Sequence, residues 1–170
     1  MDTELNTINQ AIDTTFTSNE IDVPIISVIS ELRNTHKELL NKYIPEIEQH
    51  FLQLLRIGLK NELLVTTACF TKFHDMRTKL TDHIEMEESI VFPAILMGAA
   101  KENHVIYQFL QHHEDHEVKL KELIMDIGNV LSHLNHLMVY RQLILKMRSF
   151  HDRLSQHGEI EDLLFRKVMN

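Results

Sequence analysis

Only four glycines and three prolines interrupt the 170 residues of this chain. That scarcity removes most of the turn chemistry a strand-rich fold needs, because hairpins and sandwich corners rely on residues that reach positive φ or fix a bend. Long helices are the expectation. The length suits one domain, and a hydrophobic share of 44% supplies apolar surface for one core.

Residues 1–21 are polar and weakly patterned. Ile8, Ile12 and Phe16 would form one short amphipathic turn at most, so this stretch is read as a flexible or loosely docked arm and 22–170 as the domain. Asp22 ahead of Val23 and Pro24 has the chemistry of a helix start: Asp caps free N–H groups, and proline is tolerated in a first turn. The first helix then carries an apolar stripe from Val28 to Leu55 with His36 inside it, and Pro45 is expected to kink it before Gly58. The second carries Phe73, Met76, Leu80, Met86, Ile90, Val91 and Ala94 toward Gly98, with His83 and Glu87 on the same face. The third starts near Lys101 and runs through Ile106, Phe109, Leu110 and Leu120 to Leu131, with His113 and His116 straddling its centre and a polar break expected from Gly128 to Asn135. The fourth runs from Leu143 to Phe165 with His157 and Glu161 in its stripe. Four long amphipathic helices with short connections predict an all-α, antiparallel up-down four-helix bundle.

Several function classes drop out. A formal charge of −8, with no local run of Lys and Arg, repels a phosphate backbone, so nucleic acid is not an expected partner. No apolar stretch approaches the roughly 20 residues that span a bilayer, and the start MDTELNTINQ lacks the basic and apolar regions of a signal peptide. A cytoplasmic protein without membrane contact is expected. The single Cys69, between apolar neighbours in ACF, is read as core packing. No strand precedes a glycine-rich turn, which leaves no nucleotide loop.

The compositional outlier is histidine, at 12 residues. His83 with Glu87, and His157 with Glu161, stand four residues apart, which puts each pair on one helical face about 6 Å apart along the axis. With 25 acidic residues present, chance alone supplies about two such pairs, so spacing carries little weight. Phase carries more. These four residues, with His36 and one or more of His112, His113 and His116, interrupt apolar stripes where an unpaired ionisable group is costly. Imidazoles capping two cations that a carboxylate bridges would remove that cost.

The segment HIEMEESIVFP, residues 83–93, resembles the HxxxEE(x)nFP segment of hemerythrin-like HHE domains, in particular those of the iron–sulfur cluster repair di-iron proteins. HGEIEDLLF resembles their last-helix HxxxE segment, and NTHKELLNKYIPEIE their first-helix histidine followed by a proline. The resemblance implies two non-haem irons, with His36, His83, His116 and His157 as terminal ligands and Glu87 and Glu161 as bridges. Three departures stand out. Lys37 replaces the second histidine of a frequent His-His pair; His112 with His116 would reproduce the HxxxH pair of oxygen-binding hemerythrins; and Asp162 stands where those proteins carry a bridging aspartate. Helical phase favours Glu161 over Asp162, and it leaves His113 nearly as central as His116. The N-terminal cysteine-containing domain common in the repair proteins is not present ahead of these motifs.

What the resemblance implies for function is a di-iron protein that handles nitric oxide, oxygen or peroxide under nitrosative or oxidative stress, with iron–sulfur cluster repair as one role and a redox donor or iron–sulfur protein as partner. A second class is a non-catalytic module that senses or carries oxygen or nitric oxide. A third is a metal-free helical interaction domain with a histidine-rich core.

Overall fold

The computed structural model describes residues 24–57, 62–100, 104, 106, 108 and 116–169. Every regular element among the described residues is helical. In chain order these are α1 (Ile25–Glu38), a π-helical turn (Leu39–Tyr43), α2 (Ile44–Ile57), α3 (Leu63–Met86), a second π turn (Glu87–Val91), α4 (Phe92–Leu96), α5 (His116–Leu131), a 3-10 turn (Ser132–His136) and α6 (Met138–Met169). The arm 1–21, Asp22, Gly58, Lys101, Phe109, Leu110, His112 and His113 lie outside the described residues.

The two π turns share a cause. Proline has no N–H to donate and its ring crowds the preceding turn, so a helix meeting one must rearrange. Pro45 and Pro93 each follow a π turn closely, and in each case the residue before the proline donates five residues back, Ile44 N–H to the Leu39 carbonyl and Phe92 N–H to the Glu87 carbonyl. The chain widens ahead of the proline and then resumes as α-helix. A widened turn also changes phase. Ile90, three residues after Glu87, was expected in the stripe, yet it is exposed while Val91 and Phe92 are buried.

One other boundary follows from glycine, and one expected there does not form. Gly98 sits at φ +70, where Gly98 N–H bonds to the Ile95 carbonyl and Ala99 N–H to the Ala94 carbonyl, the paired bonds of a Schellman close. Gly128 was expected to open a break, but α5 runs through it to Leu131. Buried Ile127 and Leu131 hold that turn in place, and tertiary burial outweighs glycine's weak helix propensity. At the other end, Pro24 occupies the cap position, its carbonyl accepting from Ser27 and Val28, and the first helical residue is Ile25.

Packing runs around the bundle: α1 and α2 against α6, α6 against α5, α5 against α3, and α3 against α2. No helix among the described residues is long and apolar enough to cross a membrane. The apolar interior is not continuous. One buried cluster includes Leu39, Phe51, Phe73, Leu80, Ile84, Leu120, Phe150 and Leu154. A second, smaller one holds Ile29, Leu32, Val91, Phe92, Leu164 and Phe165.

Candidate metal centre

The gap between the two clusters falls at the same level on three helices. On α1 the sequence passes from Leu32 through His36 to Leu39; along α3 and its π turn from Ile84 through Glu87 to Val91; on α6 from Leu154 through His157 and Glu161 to Leu164. A polar layer therefore crosses an otherwise apolar bundle. His36, Glu87, His157 and Glu161 are all buried in it, and one donor atom from each lies within 4.8 Å of the others. This set can hold a metal ion.

The closest contacts inside the layer are short. His36 Nε2 stands 3.3 Å from Glu87 Oε2 and 3.3 Å from His157 Nε2; His83 Nε2 stands 3.3 Å from Glu87 Oε1; His157 Nε2 stands 3.0 Å from Glu161 Oε1. Donors that share a cation at bond lengths near 2.1 Å stand about 3.0–3.4 Å apart, from right-angle to tetrahedral geometry. Hydrogen bonding accounts for only part of these contacts, the two Nε2 atoms of His36 and His157 being within hydrogen-bond reach of each other. Glu87 is fully buried, yet neither of its oxygens has a well-formed hydrogen bond among the described residues. Its two oxygens face different histidines, Oε2 toward His36 and Oε1 toward His83.

Electrostatics point the same way. Burial lowers the pKa of His36, but contacts with Glu87 and Glu88 and the charge of Glu161 more than offset it, and the ring is held above the ordinary imidazole value. Two buried carboxylates thus draw positive charge into the layer, and a cation coordinated by their oxygens would supply it. Glu88 settles the ring's orientation. Its carboxylate can only accept, so His36 Nδ1–H donates to Glu88 Oε1 at 2.8 Å and Nε2 points inward.

The remaining predicted residues divide clearly. His83 and His116 lie together, their ring centroids 5.0 Å apart, and His116 is buried. Glu161 is buried beside His157, whereas Asp162 is exposed. His113 lies outside the described residues. Away from the layer, His74, His104, His133 and His136 are exposed, and His50 bonds to the Glu46 carbonyl of its own helix. Cys69 is buried in the larger cluster, and burial pushes its thiol pKa up.

Sequence reasoning missed three parts of the site. Glu88 holds His36, and Arg33 Nε in turn donates to Glu88 Oε2 at 2.8 Å. The doubled acid in HIEMEESIVFP was the available signal. Arg153 of α6 reaches α1, donating to Thr35 Oγ1 at 3.0 Å and Glu38 Oε2 at 2.9 Å, which fixes the helices carrying His157 and His36 against each other. A cavity of about 360 Å³ reaches the layer beside His83, His116, His157 and Glu161, between Leu80 and Leu154. No protein-family model, curated protein or solved structure matches the chain.

Proposed function

We propose that this chain is a hemerythrin-like, non-haem di-iron protein folded as an antiparallel up-down four-helix bundle, and that it handles nitric oxide, oxygen or peroxide. The observation that carries the reading is Glu87: a fully buried carboxylate whose oxygens, without a well-formed hydrogen bond among the described residues, face two different histidines. That is the arrangement a carboxylate bridging two cations requires. His36 and His157 with Glu161 would hold one iron, and His83 and His116 the other. Two irons held there would supply one-electron chemistry toward a small diatomic ligand. The protein's residues orient the imidazoles and bound the layer by apolar clusters on two sides, with the cavity beside it. We place the protein in the cytoplasm, with a redox donor or a damaged iron–sulfur protein as its partner under nitrosative or oxidative stress.

The cavity also favours a second reading, a module that senses or carries oxygen or nitric oxide without turnover, because a cavity beside the layer serves binding as well as reaction. Anaerobic loading with ferrous iron, followed by nitric oxide, tests both. Two irons per chain and catalytic loss of nitric oxide support the first reading. A stable stoichiometric adduct supports the second. Less than one iron per two chains, with no oxo-bridged iron absorption after oxidation, returns the protein to a metal-free helical domain.

A further inference from the structure

Successive carboxylates grip opposite nitrogens of one ring. Glu87 Oε2 faces His36 Nε2 at 3.3 Å, and Glu88 Oε1 takes the proton of His36 Nδ1 at 2.8 Å. Both residues belong to the π turn, and the Phe92 that follows it stacks on the His36 ring, centroids 5.8 Å apart and planes 5° from parallel. Arg33 closes the assembly, paired with Glu88 Oε2 at 2.8 Å and lying 5.9 Å over the Phe92 ring. The imidazole is therefore fixed in tautomer, tilt and depth by groups that do not themselves face the layer.

His157 is held differently. Its ring is as deeply buried, but Nδ1 finds no acceptor among the described residues. A carboxylate on the far nitrogen of an imidazole raises the basicity of the near one, and loss of such a partner typically weakens metal binding 10–100-fold. We propose that Glu88, held by Arg33, is a positioning residue for His36, so that the cation position His36 helps to form depends on Glu88 while the His83–His116 position does not. The proposal rests on the metal-centre reading above. It names a residue outside the layer that supports one of its two cation positions.

The test is an anaerobic calorimetric titration of the full chain with ferrous ion alone, run on the wild type, Glu88→Gln and Glu87→Ala. Gln keeps the volume and an accepting oxygen but removes the charge. The expected result is two binding steps in the wild type, with one of them weakened roughly 10–100-fold in Glu88→Gln and the other unchanged. Identical titrations for wild type and Glu88→Gln overturn the proposal, as does an equal fall in both steps. If Glu87→Ala loses iron while Glu88→Gln binds like wild type, the proposal fails and the metal-centre reading stands; a wild type that takes up no iron overturns both. Proton NMR of the metal-free protein gives a readout independent of loading. A downfield, exchange-protected His36 Nδ1 proton is expected in the wild type and is expected to vanish in Glu88→Leu. Its persistence in a folded Glu88→Leu would show that Glu88 does not hold the ring.

Discussion

Replacing Glu87 by Met is expected to stabilise the iron-free protein while abolishing its response to iron. Glu87 is fully buried between two apolar clusters, and neither oxygen makes a well-formed hydrogen bond among the described residues. The full desolvation cost of such a carboxylate is several kcal/mol; exchanging a whole buried ion pair for apolar groups is often stabilising by about 1–4 kcal/mol, whereas removing one partner destabilises if the other stays charged and alone, and here His36 keeps Glu88 as its carboxylate partner. Here the nearby His36, whose affinity for a proton Glu87 helps raise, offsets part of that cost. The gain therefore belongs near the low end, about 1–2 kcal/mol, or roughly 2–8 °C in Tm for a domain of this size. Iron acts in the opposite direction. A ligand at 100 times its Kd stabilises the native state by about 2.7 kcal/mol, which the wild type gains and Glu87→Met does not. Differential scanning calorimetry on both proteins, after chelation and again with excess anaerobic ferrous iron, reads the two effects separately. The stability order is expected to reverse between conditions. If iron-free Glu87→Met melts below the wild type, as an ordinary core truncation would, the reasoning about an uncompensated carboxylate is wrong.

Three further substitution sets probe the layer through iron content measured after anaerobic loading. His83→Ala is expected to lose iron and His74→Ala to keep it, because His83 faces Glu87 whereas His74 is exposed; equal content in both would remove the second-helix histidine from the centre. Glu161→Ala is expected to lose iron and Asp162→Ala to spare it, the reverse order pointing to the arrangement of the oxygen-binding hemerythrins. His116→Ala is expected to lose iron while His112→Ala and His113→Ala retain two per chain, and full loss at His112 with none at His113 would contradict the helical-phase argument.

Much of the layer was legible because its residues break apolar stripes at helical spacing. His36, Glu87, His157 and Glu161 each sit one turn from buried leucine, isoleucine or valine, and that pattern depends on local sequence alone. Glu88 was not legible in the same way. Its meaning depends on His36, 52 residues away, and on a π turn that brings the doubled acid onto one ring. A proline marks where a helix must adapt, but the sequence does not say whether it kinks or widens. Pro93 was therefore visible, while the phase change that exposes Ile90 was not. Gly128 failed as a boundary for a related reason: propensity is a local quantity, and the burial of Ile127 and Leu131 that overrides it is a property of the assembled bundle.

Iron-edge anomalous diffraction from crystals of the iron-loaded chain places the metal directly. Two anomalous peaks about 3.5–4 Å apart are expected. One would lie among His36, His157 and Glu161, the other beside His83 and His116, with the Glu87 carboxylate between them. An empty layer, or iron found only at surface groups such as His133 and Glu62, would contradict the claim that this bundle is built around a dinuclear centre.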